Sequence, residues 1–236
     1  MNNNIYLALD FPTWMEAKAF IDRHNLNGVP VKVGMELFYR EGPYIIEQLK
    51  KDNHAIFLDL KLHDIPTTVK KAMQNLTKLD VDLVNVHALG GGAMIQAAKE
   101  GLLASSNNHT KLLAVTMLTS MEETVMNEEL RISGSMQDNV VHLAAIAKQN
   151  GADGVVCSVH EASQLKTVCG LDFLTVTPGI RLQESNTNDQ KRVATPSFAR
   201  EHGADILVVG RAITNAQQPK QAYINVLKEW NNEVKS

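Results

Sequence analysis

Cysteines, aromatic residues and long apolar runs are all scarce in this chain of 236 residues. Its two cysteines, Cys157 and Cys169, are too few for the disulfide framework of a small secreted fold and do not form a C-x-x-C centre. No apolar stretch approaches the roughly 20 residues of a membrane span, and the amino terminus lacks the basic-then-apolar pattern of a signal peptide. The sequence therefore predicts a reduced, cytoplasmic protein without a membrane partner.

An excess of positive charge is also missing. The formal net charge is −3 at pH 7, and the pI is near 6.2. Surfaces that bind nucleic acid are usually broadly basic, so no nucleic-acid partner is expected. Any site for a phosphate group must therefore be built locally, from a few residues.

What the chain does contain is a regular series of short apolar runs, separated by amphipathic patterns typical of helices. Runs without polar alternation indicate strands that are covered on both faces, as in a parallel sheet. The predicted strands cover residues 5–9, 31–33, 55–60, 83–86, 112–116, 154–159, 173–176 and 206–209. Helical patterns between them include residues 14–24, 42–51, 66–78 and 91–103.

Eight strand–helix units in 236 residues predict a single-domain (β/α)8 TIM barrel that covers residues 1–236. A doubly wound open sheet is the alternative, but it would place a glycine-rich nucleotide turn after its first strand. Residues 10–13, which follow the first strand here, contain no glycine. Two connections, 120–135 and 181–196, are long enough to be functional loops, and the first has room for a short extra helix.

The least expected feature is a charged pair in the third strand. Residues two apart on a strand project to the same side, so Asp59 and Lys61 point together with Phe57. Inside a barrel each ion would lose several kcal/mol of hydration. The pair therefore forms an active site, a buried ion pair kept for fold specificity, or a pair that reaches solvent past the strand end. Lys32 and Asp64 add a second lysine and a second carboxylate nearby, which favours an active site at the carboxyl ends of the strands.

A phosphate site is predicted where the seventh and eighth strands end, because barrels often bind phosphate in the loops there. Gly179 and Gly210 allow the backbone to approach an anion closely, and Arg211 adds a permanently charged donor. Two ordinary glycine turns and a surface arginine are the alternative. The long loop 181–196 carries polar side chains that suit a lid over a ligand. These are Asn186, Asn188 and Gln190.

A metal site is a weaker interpretation of the same region. His63 and His87 could join Asp59 and Asp64 as ligands. The nearby lysines would compete for the carboxylates and repel a cation, so no metal is expected. The chain also has no motif for an organic cofactor, and none is expected.

The segment FLDLKLHDIPTTV at residues 57–69 closely resembles the active-site signature of the orotidine 5'-phosphate decarboxylase family. Six further segments are similar to motifs of that family in the same order: LALD at 7–10, VKVGMELF at 31–38, AVTMLTS at 114–120, VTPGIR at 176–181, NDQKR at 188–192 and VVGRAIT at 208–214. The D-x-K-x-x-D core is shared with related barrels, but the ordered set is specific. The resemblance covers the chain nearly end to end and is closest to the compact bacterial branch.

The resemblance implies a cofactor-independent decarboxylase of orotidine 5'-phosphate. Lys61 would be the general acid that protonates C6 of the pyrimidine as the carboxylate leaves. Asp59 would lie against the substrate carboxylate, and Lys32 and Asp64 would complete the charged array. Asp10 and Lys32 would bind ribose hydroxyls.

Further substrate contacts are implied by the same resemblance. Thr119 and Ser120 would contact the pyrimidine or the loop above it, and Gly210 and Arg211 would hold the phosphate with Gln190. The closing loop would include Arg181 and Gln190, and Pro178 would line the substrate site.

The resemblance also implies a homodimer, in which Asp64, Ile65 and Thr68 reach into the neighbour's site. Two rival functions stay open at this point. One is a metal-dependent sugar-phosphate lyase or synthase on the same barrel, and the other is a non-catalytic nucleotide-binding barrel.

Overall fold

Eight parallel strands close into a barrel in chain order, within the residues that the computed structural model describes, which are 4–104, 109–181 and 194–232. The strands are β1 (Ile5–Ala8), β2 (Val31–Gly34), β3 (Ile56–Leu62), β4 (Leu83–His87), β5 (Lys111–Val115), β6 (Gly154–Val156), β7 (Leu174–Thr177) and β8 (Ile206–Val209). Closure comes from the parallel pairing of β8 with β1, in which Ile5 lies opposite Leu207. The predicted (β/α)8 barrel is confirmed, and the open sheet is wrong.

Helices surround the barrel and alternate with the strands. They are α1 (Trp14–Arg23), α2 (Met35–Glu41), α3 (Tyr44–Lys51), α4 (Pro66–Leu76), α5 (Gly91–Leu103), α6 (Met136–Gln149), α7 (Val159–Cys169), α8 (Pro196–Glu201), α9 (Arg211–Thr214) and α10 (Pro219–Trp230). The long connection that follows β5 contains a π-helical turn, Val125–Glu129, where a short extra helix was expected. Among the described residues, no helix has the length and apolar character needed to cross a membrane.

Two element boundaries differ from the sequence prediction for local reasons. The strand predicted to continue to residue 159 ends at Val156, because the Ser158 side chain caps α7 and forms a capping box with Glu161. The helix predicted over 42–51 is present as α3, which begins two residues later, and it is preceded by α2, which was not predicted. Gly42, with φ 69°, ends α2 and donates its N–H to the Phe38 carbonyl at 2.8 Å.

The core has two layers, as the alternation along β3 predicts. Leu58 and Leu60 pack outward into the large apolar core between the strands and the helices. Phe57 points inward, where it packs with a smaller cluster that fills the barrel. The inward direction continues along β3 to Asp59 and Lys61, which places both charges above this apolar filling.

Three aspartates reinforce the end of the barrel where the strands begin. Each aspartate lies just before a strand. Its Oδ2 accepts a backbone N–H at or near the start of the neighbouring strand that comes earlier in the chain. The three bonds are Ile56 N–H to Asp82, Leu112 N–H to Asp153 and Thr175 N–H to Asp205, each at 2.7 Å. Lys99 also donates to Asp153 at 2.7 Å. This arrangement stabilises the amino-terminal face, opposite the face that carries chemistry in such barrels.

Candidate active site

A cavity of ≈ 250 Å³ opens at the carboxyl ends of the strands. Apolar side chains of the barrel interior, such as Phe57 and Val208, line part of it. The predicted site residues among its lining are Asp10, Lys32, Asp59, Lys61, Thr119, Pro178, Gly179, Arg181, Gly210 and Arg211. The fold therefore brings residues from the ends of seven strands together around one space.

Four charged side chains form a continuous alternating chain along the cavity. Lys32 Nζ donates to Asp10 Oδ1 at 2.8 Å and lies 3.6 Å from Asp59 Oδ2. Lys61 Nζ donates to Asp59 Oδ1 at 2.7 Å. The two inner members are well shielded, since the side chains of Lys32 and Asp59 are 11% and 13% exposed, whereas Asp10 is 61% exposed. Each buried charge thus has an oppositely charged neighbour, which offsets its loss of hydration.

The electrostatic environment keeps the two inner groups ionised. Burial is the largest influence on Asp59 and acts to raise its pKa. The Lys32 and Lys61 ammonium groups, with hydrogen bonds from Lys61 and Asn85, together outweigh burial, so the pKa of Asp59 lies below its ordinary value. Burial likewise acts to lower the pKa of Lys32, but the Asp10 and Asp59 carboxylates outweigh it and raise that pKa above its usual value.

Lys61 occupies a backbone conformation that is unusual for a residue with a side chain. Its φ is 51°, in the left-handed region. The register with β4 shifts at this point, since Leu58 lies opposite Val84 while Leu62 lies opposite Val86. β3 therefore bulges at its carboxyl end. The Lys61 N–H donates to the side-chain Oδ1 of Asn85 at 2.7 Å.

Gly34, at the end of β2, leaves room for the ion pair between Lys32 and Asp10. A Cβ at this position would lie 3.2 Å from Lys32 Nζ and 3.6 Å from Asp10 Oδ1. A side chain here would therefore require the Lys32 ammonium to shift by a few tenths of an ångström within its ion pairs.

The proposed phosphate side of the cavity is formed by the ends of β7 and β8. Gly179 has φ 81°, a conformation that glycine adopts without strain. Arg181 is buried, and its Nη1 donates to the Ile180 carbonyl at 2.9 Å. The Arg181 N–H bonds to the carbonyl of Ala194 at 2.9 Å, which closes the base of the long loop. Gln190, Asn186 and Asn188 lie outside the described residues.

Four predicted site residues do not line the cavity of the single chain: Ser120, Asp64, Ile65 and Thr68. All four are exposed. Asp64 makes no ion pair with any described residue, and its Oδ1 accepts the N–H of Ile65 at 2.6 Å. Ile65 is an exposed apolar residue at the start of α4, with 66% of its surface accessible.

The histidines considered as metal ligands lie beside this site. The rings of His63 and His87 stack with centroids 5.6 Å apart, and neither lines the cavity. Burial, followed by the charges of His63 and Lys61, holds the pKa of His87 below its usual value. Over residues 4–104, 109–181 and 194–232, no three His, Cys, Asp or Glu side chains are grouped so that they could hold a metal ion.

Asn85 is a site residue to which the sequence prediction gave no role, although its place at the end of the fourth strand was noted. It is buried on the inner face of β4, with a side chain that contacts both Asp59 and the Lys61 backbone. The available signal was a single amide within the apolar run 83–86, at the position that faces the barrel interior.

Comparison with known proteins assigns the family. The model of the orotidine 5'-phosphate decarboxylase / HUMPS family matches residues 3–226. Orotidine 5'-phosphate decarboxylase of Bacillus pumilus is 56% identical over 227 residues, covering 95% of this chain and 97% of that protein. The Listeria innocua enzyme of the same name is 54% identical over 231 residues, covering 97% and 99%.

Solved structures agree in fold. The crystal structure of orotidine 5'-phosphate decarboxylase from Lactobacillus acidophilus superposes with a TM-score of 0.87 at 43% identity, covering 97% of this chain and 99% of that one. An uncharacterized conserved protein from Geobacillus kaustophilus gives a TM-score of 0.85 at 46% identity, covering 96% and 100%. The barrel topology, the ordered motifs and these near full-length matches show that the chain belongs to the orotidine 5'-phosphate decarboxylase / HUMPS family.

Proposed function

We propose that this chain is a carboxy-lyase that converts orotidine 5'-phosphate to uridine 5'-phosphate and CO2, the last step of de novo pyrimidine nucleotide synthesis. The observation that carries the proposal is the alternating chain Asp10–Lys32–Asp59–Lys61 inside a cavity that Arg211 also lines. The names of the near full-length relatives support the same substrate.

Lys61 is the proposed proton donor. When the bond between C6 and the carboxylate breaks, CO2 departs and the electron pair remains on C6 in the plane of the ring, where the π system cannot delocalise it. The Lys61 ammonium stabilises this developing charge and transfers one proton to C6, and the resulting amine regains a proton from water. The ammonium takes the place of an electron sink, so we propose that the step proceeds without metal or cofactor.

Asp59 has two proposed effects. As a buried carboxylate with a lowered pKa, it remains negative beside the substrate carboxylate, and this repulsion is relieved when CO2 leaves. The same group holds the Lys61 ammonium at 2.7 Å, which sets the position of the proton that is transferred. The Lys32 ammonium offsets the negative charge on the second Asp59 oxygen. Together with Asp10, Lys32 is also placed to bind ribose hydroxyls.

Binding of the remote phosphate supplies free energy for closure without contact with C6. Gly210 and Arg211, with Gln190 from the long loop, are the proposed phosphate ligands. Thr119, Ser120, Pro178 and Arg181 are the proposed contacts to the pyrimidine and to the closing loop.

The functional unit is proposed to be a homodimer with shared sites. Asp64, Ile65 and Thr68 are exposed in one chain, and an isoleucine this accessible at a helix start suits an interface. Asp64 then completes the charged array in the partner's cavity. Mixing the inactive variants Lys61→Ala and Asp64→Ala should restore about a quarter of wild-type activity, because about half the dimers are mixed and each of these has one intact site. A monomeric mass in solution, or no restored activity, would refute the shared site.

The main experiment follows the ultraviolet band of orotidine 5'-phosphate with purified protein and an added chelator. Loss of the band at an undiminished rate is expected. A metal-dependent sugar-phosphate lyase or synthase would lose its activity to the chelator and leave this substrate intact. A non-catalytic barrel would bind the nucleotide and leave it unchanged over hours, and no turnover at micromolar enzyme rejects the proposal.

A further inference from the structure

Asn85 is a polar residue in an apolar setting. Only 1% of its surface is exposed, and it follows Leu83 on the inner face of β4, where Leu113 of β5 lies opposite. Burying an amide costs free energy unless its nitrogen and its oxygen both find hydrogen-bond partners. Both are used here, and each one reaches a different part of the charged array.

The donor end of Asn85 fixes the Asp59 carboxylate. Asn85 Nδ2 donates to Asp59 Oδ1 at 2.6 Å, and Lys61 Nζ donates to the same oxygen at 2.7 Å. With two donors on Oδ1 and Lys32 beside Oδ2, rotation of this carboxylate would break short hydrogen bonds. The amide adds this restraint without adding a charge, so the balance of the array is unchanged.

The acceptor end of Asn85 holds the main chain of Lys61. The register shift in β3 takes the Lys61 N–H out of ordinary strand pairing, and Asn85 Oδ1 receives it at 2.7 Å. The left-handed backbone at Lys61, with φ 51°, is disfavoured for any residue with a Cβ and must be held by its surroundings. Asn85 provides that support at the residue whose side chain carries the proton.

We propose that Asn85 is a positioning residue, whose single amide sets both the backbone of Lys61 and the carboxylate of Asp59 in the geometry that proton transfer requires. Asn85 does not line the cavity, so it acts through these two residues and not on the substrate. The inference rests on the proposed decarboxylase function for its kinetic consequence.

Two variants of the full-length protein test the proposal. Asn85→Leu removes the donor and the acceptor at similar volume. We expect kcat to fall by about 100-fold, the scale of a 1 Å misplacement of reacting groups. The Kd for uridine 5'-phosphate, which lacks the reacting carboxylate, should change by less than about threefold because its proposed phosphate and ribose contacts come from residues that Asn85 does not touch. Thr175→Val is the matched control, since it removes a buried hydroxyl bonded to the Gly203 carbonyl at the other end of the barrel. It should lower stability and leave kcat near wild type.

Asn85→Asp preserves shape and the acceptor for Lys61, but places a second carboxylate against Asp59. One proton must then be shared between them at low pH. Its kcat should be strongly reduced near pH 8 and recover as the pH is lowered to about 6, whereas Thr175→Val should follow the wild-type profile. A role in stability alone would not move the pH profile.

A backbone measurement keeps the inference testable without turnover. The Lys61 amide signal in a ¹⁵N-labelled sample should shift, and its hydrogen exchange should accelerate, in Asn85→Leu but not in Thr175→Val. An unchanged Lys61 signal, or a folded Asn85→Leu protein with kcat within about twofold of wild type, would overturn the positioning role. A wild-type protein inactive on orotidine 5'-phosphate would instead reject the proposed function, and the amide measurement would still decide whether Asn85 holds Lys61.

Discussion

Lys61 Nζ and Asp59 Oδ1 lie 2.7 Å apart, although only one residue separates these two positions on β3. In a regular strand, both side chains would project side by side into the barrel. The backbone at Lys61 is left-handed instead, with φ 51°, and its ammonium donates to the Asp59 carboxylate. The geometry of the proposed proton donor is thus a property of the main chain as much as of the side chain.

Removal of the Lys61 ammonium should abolish turnover without unfolding the protein. A general acid that also stabilises developing charge contributes about 10²- to 10⁴-fold, so Lys61→Ala should lower kcat by at least that factor. The measurement is the ultraviolet assay, with circular dichroism as the check on folding. Lys228→Ala, at an exposed position of α10, is the control and should keep normal kcat. Near-normal turnover in Lys61→Ala would eliminate Lys61 as the donor.

The strain at Lys61 can be measured independently of activity. Alanine at φ 51° retains the steric cost of a Cβ, whereas glycine does not. Lys61→Gly should therefore have a free energy of unfolding about 1 kcal/mol greater than Lys61→Ala, as measured by urea denaturation. At Asn225, inside α10, the order should be reversed, because glycine weakens a helix relative to alanine. An alanine variant at least as stable as the glycine variant at position 61 would show that the backbone there is not strained.

Arg211 should contribute to binding through the phosphate group alone. A charge-assisted hydrogen bond is worth about 1.5–3 kcal/mol, so Arg211→Ala should reduce kcat/KM for orotidine 5'-phosphate by about 10- to 150-fold. The comparison substrate is orotidine, which lacks the phosphate and should be affected little. Arg200→Ala, whose arginine donates to the Trp230 carbonyl away from the cavity, is the control. An equal loss on both substrates would contradict the phosphate assignment.

Buried His54 should make the protein less stable in mild acid. Its Nδ1 lies 2.6 Å from the Val29 carbonyl, and its buried Nε2 has no hydrogen-bond partner among the described residues. Burial lowers its pKa below the usual value, an effect opposed by the Val29 carbonyl and Asp52. The unfolded chain therefore takes up the proton first, and the free energy of unfolding falls as the pH drops below about 6.5.

Urea denaturation at several pH values measures this effect. His54→Asn keeps a donor near Val29 and removes the titrating ring, so its stability should fall less steeply between pH values of about 7 and 5 than that of wild type. His160→Asn, the same substitution at an exposed position, is the control. Equal slopes for wild type and His54→Asn would mean that His54 does not control this transition.

The sequence predicts those parts of the site that depend on local periodicity. Alternation along β3 places Asp59 and Lys61 inward and Leu58 and Leu60 outward, and the structure agrees. The left-handed Lys61 could not be predicted, because the partner that accepts its N–H is the side chain of Asn85, 24 residues away. The predicted end of β6 was wrong because of a local signal. The Ser158 capping box starts a helix within an apolar run that is otherwise typical of a strand.

Other features cannot be decided from one chain. Asp64 and Ile65 are exposed here, and alternation within a strand says nothing about which surface a second copy would cover. The reinforcing aspartates were overlooked for a similar reason. The sequence around these residues is typical of ordinary loops. Only the register of the parallel strands shows which strand is bonded by Asp82, Asp153 and Asp205.

Those three aspartates have a consequence for how the protein can change through evolution. They link β3 to β4, β5 to β6 and β7 to β8 at the face remote from the cavity. These reinforcing bonds thus lie at one end of the barrel, and the costly buried charges lie at the other. Substitutions at the cavity end can accumulate without loss of these three bonds. The substrate specificity can therefore change while the barrel is kept.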